Sequence, residues 1–279
     1  MKLMQQLDQA KINNVVWDIS RQLKVDFTGV VPEFYTDGAT DAAVFSLNRQ
    51  FLVKITDLNT IRTQAEFLKV THSSAFQKLL CSNETLGYEC FEFINGIKFD
   101  GTKIAPQVAV QQIDAIVRSY QKYPHSGYGF LNEEHTSWHA FLLDEIEYAR
   151  RNIGSIPTDK VMKALEIAGR ENPEQYLMHG DFGTHNFLLV PDLKGNPQIR
   201  VIDPMPVVGD PLYDFYFAVL SDTDIFTKVG ADFIYGFFFG RGKDYKKALL
   251  TVALYVRMSR AWLYDREHFD AYVKLYERI

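Results

Sequence analysis

Residues 178–187 read Met178-His179-Gly180-Asp181-Phe182-Gly183-Thr184-His185-Asn186-Phe187. A histidine and an aspartate stand together at the end of a short apolar run, Tyr176–His179. An asparagine follows Asp181 five positions later. Two more apolar runs, Phe187–Val190 and Ile199–Ile202, flank Lys194-Gly195-Asn196-Pro197, which has the chemistry of a turn. The last run ends Val201-Ile202-Asp203-Pro204, so Asp203, like Asp181, falls at a strand end. A hairpin between these strands can bring Asp181, Asn186 and Asp203 to one edge.

That trio suits phosphoryl transfer. One carboxylate accepts a proton from an attacking hydroxyl. A second carboxylate and an amide oxygen, both hard ligands, hold Mg²⁺ on nucleotide phosphates. The bland alternative is that Asp and Asn simply fill turns. The full pattern, H-G-D-x4-N followed by an apolar run and Ile-Asp, weighs against it. The amino third offers a complementary half. Lys54 is the lone charge in Phe51-Leu52-Val53-Lys54-Ile55, and Glu66 lies on the helix expected next. A strand lysine paired with a helix glutamate can orient the α- and β-phosphates. Gly38, in Thr36-Asp37-Gly38-Ala39-Thr40, would let a loop approach phosphates, although no G-x-G-x-x-G is present and a turn glycine is an equal reading.

Outward from these motifs, Ile12, Val16, Ile19 and Leu23 predict an opening amphipathic helix. Val30–Tyr35, Ala43–Leu47 and Phe51–Thr56 predict a small antiparallel sheet, and Tyr88–Ile94 a further strand. Asn59 or Thr60, Thr136 and Thr158 are candidate helix caps, and Pro106 suits a helix start. Beyond residue 95 the pattern is helical apart from the motif-bearing island, and Tyr245–Tyr264 reads as a late helix. Asp210 can cap a helix that begins at Pro211, with Asp214 one turn on as a brace for the motif loop.

The chain has 279 residues, 47% hydrophobic and 23% charged, which excludes wholesale disorder and suffices for a real core. Its net charge of −5 leaves no basic excess for a nucleic-acid partner. Cys81 and Cys90 read as reduced thiols. The amino terminus carries no apolar signal core, and the Phe233–Phe239 run is far short of the roughly 20 residues that span a bilayer. The expectation is a cytoplasmic protein with no membrane partner.

Over nearly its whole length the sequence resembles the aminoglycoside phosphotransferase family, the small-molecule branch of the protein-kinase-like fold. The residues that carry the resemblance are Gly38, Lys54, Glu66, the connecting segment Phe91–Gly96, His179–Asn186, Ile202-Asp203, and Gly209-Asp210-Pro211-Leu212-Tyr213-Asp214. The resemblance implies Asp181 as catalytic base, Asn186 and Asp203 as Mg²⁺ ligands, and Lys54 with Glu66 as the pair that positions ATP. It implies adenine contacts from the backbone near Glu92 and Ile94, and makes His179 a packing residue of the loop. Asp203 is followed by Pro204-Met205 rather than Phe-Gly, a departure from protein kinases. Gly127-Tyr128-Gly129 and Trp138–Leu142 look like members that phosphorylate antibiotics, including the hygromycin-type enzymes. Asp144, Glu145 and Glu147 would face a cationic acceptor, or simply form a solvated helix face.

The expected fold is therefore α+β and two-lobed: a β-rich nucleotide-binding lobe over 1–94 and a mainly helical catalytic and substrate-binding lobe over 95–279. The expected reaction moves the γ-phosphate of ATP, with GTP left open, to a hydroxyl of a small molecule. Two rival readings stand beside it. One is a catalytically silent nucleotide-binding protein of the same fold. The other is a metal-dependent hydrolase built on His179, Asp181, His185 and Asp203. A zinc pair from His135 and His139 lacks the glutamate of H-E-x-x-H.

Overall fold

The structure is a computed structural model that describes residues 8–35, 42–237 and 240–279. Asp8 caps α1 (Gln9–Leu23) by accepting from the Lys11 N–H, and Ile12, Val15 and Ile19 turn inward at helical spacing. Then come β1 (Glu33–Tyr35), β2 (Ala43–Leu47), β3 (Phe51–Ile55), α2 (Leu58–Val70), β4 (Leu79–Asn83) and β5 (Tyr88–Glu92). The five strands make one antiparallel sheet in the order β1-β2-β3-β5-β4. Side chains alternate across it. Phe45, Val53, Ile55 and Cys90 pack with Val15 and Ile19 of α1 in a small core. The opposite face carries Lys54 and Glu89, which are register partners across β3 and β5.

The chain continues through β6 (Ile97–Lys98), α3 (Pro106–Val117), β7 (Tyr128–Phe130), β8 (Glu133–His135), α4 (Trp138–Asn152) and α5 (Asp159–Ala168). The motif-bearing island supplies β9 (Tyr176–Met178), β10 (Phe187–Pro191), β11 (Pro197–Val201) and β12 (Val207–Gly209). Helices α6 (Pro211–Leu220), α7 (Thr223–Val229), α8 (Ala231–Tyr235), α9 (Lys243–Tyr264) and α10 (Phe269–Arg278) finish it. Helix α9 is buried through most of its length, with Leu249, Val252 and Tyr255 fully inside a second, larger core. Phe67 of α2 belongs to that larger core, so α2 links the sheet to the helical part.

The island is more than the expected hairpin. β10 pairs with β11 and also with β6, while β9 pairs with β12, β12 with β7 and β7 with β8. The sequence reading misses β4, β6, β7, β8 and β12. Four of these have two or three residues, too few to show a period, and β4 is half-buried on both faces with no alternation. The caps also move. Asp57, not Asn59 or Thr60, accepts from the Thr60 N–H, and Ser137, not Thr136, accepts from the Ala140 N–H. Thr158 precedes α5 without a side-chain cap bond. Cys81 and Cys90 face each other across β4 and β5 as free thiols. Among the described residues no helix is long and apolar enough to cross a membrane.

Gly209 shows why the start of the G-D-P element has no side chain. A Cβ there would come within 2.3 Å of the fully buried Trp138 ring. We predict that Gly209→Ala lowers stability by about 1–3 kcal/mol through this overpacking, read as a lower urea midpoint at unchanged slope. An unchanged midpoint would show that Trp138 yields freely.

Candidate active site

The loop after β9 is fixed from below. His179 is fully buried, and its Nε2 stands 3.0 Å from the carbonyl oxygen of Ile202. The rings of Phe67, Phe76 and Phe182 surround it at 6.0, 6.2 and 5.5 Å. Burial drives its pKa down to about 4, so the ring is neutral near pH 7. A neutral ring facing a carbonyl must carry its proton on Nε2 and donate it.

Gly180 follows with φ +80°, and a Cβ there would lie 1.9 Å from the Met205 carbonyl oxygen, so only glycine fits. Its N–H donates to Asp214 Oδ2 at 3.1 Å, and the Tyr120 hydroxyl donates to the same oxygen at 2.8 Å. Asp214 is fully buried on α6. Burial raises its pKa to about 7 against the pull of these bonds. It supports the loop and is shut off from solvent, as a brace should be. Asp210 caps α6 through the Leu212 N–H and is held by the Tyr245 hydroxyl at 2.7 Å and by Arg241 at 3.0 Å.

Asp181 is presented at the top of this loop. Asn186 Nδ2 donates to its main-chain oxygen at 2.9 Å and to its carboxylate Oδ2 at 3.1 Å. His185 Nε2 lies 3.0 Å from the same carboxylate oxygen. Burial alone would raise the Asp181 pKa. The His185 bond and charge, with His179 and Arg260 behind them, outweigh burial and hold the carboxyl well below its usual range. Arg260, on α9, also opposes the burial that raises the Glu145 carboxyl, and the Tyr213 hydroxyl reaches Glu145 at 3.4 Å. Glu145 is thus a buried member of this cluster, not part of a solvated helix face.

The β10–β11 register brings the second half of the motif alongside. Phe187 pairs with Val201, and the Ile202 N–H donates to the Asn186 carbonyl at 3.0 Å, which sets Asn186 beside Asp203. Asp203 has φ +57°, a left-handed conformation that costs a non-glycine residue about 1–3 kcal/mol. Its Oδ1 receives a short ion pair from Lys54 and a 3.1 Å bond from Gln64 Nε2, which also donates to the Pro204 carbonyl at 2.8 Å.

Lys54 therefore meets Asp203, and the expected Lys54–Glu66 pair does not form. Glu66 accepts from the Tyr123 hydroxyl at 3.3 Å and faces Lys69 at 3.8 Å. The cause is helical phase. α2 buries Ile61, Gln64 and Phe67, and Glu66 lies about 200° round the helix from Gln64. The inward polar residue at i+3 from Ile61 was the available signal. At Glu92, where the backbone is expected to contact adenine, the main-chain groups have partners within the chain. Its N–H donates to the Lys78 carbonyl at 2.9 Å, its carbonyl accepts from Gln77 Nε2 at 2.8 Å, and its side chain pairs with Arg200. The Ile94 carbonyl accepts from the Gly96 N–H at 3.0 Å. Gly38 lies outside the described residues.

The donor set fits Mg²⁺. Asp203 offers a carboxylate, and Asn186 spends only its Nδ2 on Asp181, leaving the amide oxygen out of those bonds. Two hard oxygen donors suit a cation that keeps several waters and takes further oxygens from phosphates. Among the described residues no three His, Cys, Asp or Glu side chains cluster as a metal site, so the zinc pair and the hydrolase set gain no support. His135 instead faces Asp144 at 3.9 Å, and His139 packs over Gly169.

Comparison with solved structures defines the class of fold. A thermostable mutant of aminoglycoside phosphotransferase APH(4)-Ia aligns over 93% of this chain and 96% of its own, with TM-score 0.56 and 18% identity. A putative fructosamine-3-kinase from Haemophilus somnus 129PT aligns over 93% and 94%, with TM-score 0.61 and 15% identity. Choline kinase LicA from Streptococcus pneumoniae aligns over 96% and 99%, with TM-score 0.58 and 14% identity. The chain has the protein-kinase-like fold of small-molecule kinases, as the sequence resemblance implied. No protein-family model and no curated protein sequence matches it.

The pH response of Asp214 is open to measurement. Its folded pKa stands above the ordinary carboxylate value of 3.8. Between those two values the unfolded chain loses the proton and the folded chain keeps it, so wild type loses stability as pH rises. We predict that Asp214→Asn, which keeps an acceptor, escapes this loss. Its urea midpoint should gain on wild type from about pH 4 to about pH 7 and then run parallel, at about 1.4 kcal/mol per pKa step. A constant offset over that range would contradict the buried, proton-holding Asp214.

Proposed function

We propose that the protein is a kinase that transfers the γ-phosphate of ATP to a hydroxyl of a small molecule. The observation that carries this reading is the convergence of Asp181, bonded by Asn186, with Asp203 and Lys54 near the end of the β10–β11 hairpin. Residues 1–94 would form the nucleotide-binding lobe and 95–279 the catalytic and acceptor-binding lobe of a cytoplasmic enzyme.

The Asp181 carboxylate orients the acceptor hydroxyl and takes its proton as that oxygen attacks the γ-phosphorus. The bond to the bridging oxygen breaks, and ADP leaves. With its pKa held low, Asp181 is a weak base, which suits a loose transition state in which the attacking oxygen gives up its proton late. Asn186 and Asp203 would hold Mg²⁺, which neutralises charge on the phosphate oxygens when bound. Lys54 adds a fixed positive charge on the same side. Positioning and electrostatics supply most of the catalysis.

The solved neighbours support a nucleotide and a small acceptor. One is described as an ADP-bound APH(2'')-Ib, one as a GDP complex of an aminoglycoside 2'-phosphotransferase, and one as a streptomycin–ATP ternary complex. Aminoglycosides head the list of acceptors to test, with choline and sugar amines behind them. Of the acidic residues of α4 expected to meet a cationic acceptor, Glu145 is buried and faces the Arg260 charge, which leaves Asp144 and Glu147 as the candidates for that contact.

The test is ADP release with Mg·ATP and an acceptor panel. With the acceptor that responds, Asp181→Asn should lower kcat by roughly 10²–10⁴ and leave the nucleotide KM nearly unchanged. A kcat within about twofold of wild type refutes Asp181 as the base. No ADP release with any acceptor, from protein that binds nucleotide, favours the silent reading.

A further inference from the structure

Glu89 is the second residue of β5, with none of its surface exposed. Neither carboxylate oxygen has a hydrogen-bond partner. Buried acceptors are normally satisfied, and one left open in a native fold calls for a reason. The register places Glu89 directly across from Lys54, on the sheet face away from α1. Such partners have Cβ atoms about 4.5–5.5 Å apart. Lys54 is itself buried, yet its ammonium turns to Asp203. Gln64 bonds the same Asp203 oxygen, and its own Oε1 is a third buried acceptor without a partner. The Lys54 ammonium is thus bound to a residue expected to hold Mg²⁺, while the residue opposite it and the second partner of Asp203 keep three buried acceptor atoms unpartnered.

Resting on the kinase reading above, we propose that Glu89, and not a carboxylate of α2, is the group that positions Lys54 for the nucleotide phosphates. Glu66 is engaged with Tyr123 and Lys69, and the α2 residue that does face the site, Gln64, carries no charge. If Asp203 holds a metal, Lys54 loses the partner that now orients it. Glu89 is the carboxylate opposite it, and the flexible lysine stem permits the swing. An ammonium has three N–H donors. One taken by Glu89 leaves two for phosphate oxygens. Burial pushes the Glu89 carboxyl up to about 8, and the Lys54 charge pulls it back toward ionisation. A closer Lys54 strengthens that pull. Glu89 acts through Lys54 and is a positioning residue.

The experiment measures binding of adenosine and of ATP, each with excess Mg²⁺, to the full chain by calorimetry. The proteins are wild type, Glu89→Gln, Glu89→Met, Glu89→Asp and Glu66→Gln. Adenosine lacks the phosphates and reports the integrity of the rest of the site. We expect Glu89→Gln and Glu89→Met to bind ATP about tenfold more weakly, with adenosine affinity within about twofold of wild type. Glu66→Gln should change neither. Glu89→Asp, which restores the charge on a shorter stem, should recover part of the ATP affinity. Unchanged ATP affinity in both Glu89 variants overturns the proposal. So does a parallel loss of adenosine and ATP, which marks a structural role, and so does a loss confined to Glu66→Gln. Wild type that binds neither ligand refutes the kinase reading itself, and the proposal with it.

Discussion

The site depends on the pairing of two short strands. β10 and β11 are in register from Phe187 opposite Val201 to Pro191 opposite Pro197, and the Ile202 N–H extends the ladder to Asn186. That register makes Asn186 and Asp203 neighbours although they stand 17 positions apart in sequence. A slip of one residue would send one of the two to the opposite face. Apolar residues enforce the register: Phe187, Leu189, Ile199 and Val201 are buried, and Leu188, Val190 and Arg200 lie between them partly exposed.

Around this hairpin the protein sorts its charges by burial. His179 and Asp214 are wholly enclosed. Burial pushes the pKa of the first down and that of the second up, so each is drawn toward its neutral form. Both hold the loop and neither reaches solvent. Asp181 sits between them in sequence at the surface of the same loop, and His185 with Arg260 keeps it ionised. One eight-residue stretch thus contains a histidine that packs and an aspartate that can react. The aromatic rings around His179 and the Asp214 bond to Gly180 create that difference. Residue type alone does not.

The sequence carried the carboxyl-terminal half of the site well. Asp181, Asn186 and Asp203 were legible because each sits within a few residues of a strand end, and local spacing fixes where a strand end points. The pairing of Lys54 was not legible in the same way. The lysine lies on a strand flanked by apolar residues, which marks its face. Its partner depends on the phase of α2 and on a loop about 150 residues away. Gln64 carried a signal as the polar member of an otherwise apolar i, i+3, i+6 series. Glu89 carried one as the only charge within Tyr88–Phe91. Both become meaningful only when the sheet register is known. The short strands β6, β7, β8 and β12 were invisible for a simpler reason, since two or three residues cannot display a period.

Nucleotide binding through Asp203 is the point on which everything above converges. Thermal unfolding with ATP, and separately GTP, each with and without Mg²⁺, reads it directly on wild type and Asp203→Ala. A nucleotide at about 100 times its Kd stabilises the folded state by about 2.7 kcal/mol, which is readily seen. The predicted result is a rise in Tm with Mg²⁺ and nucleotide on wild type that shrinks without the metal and is lost in Asp203→Ala. No rise with either nucleotide, or an equal rise in Asp203→Ala, would contradict it.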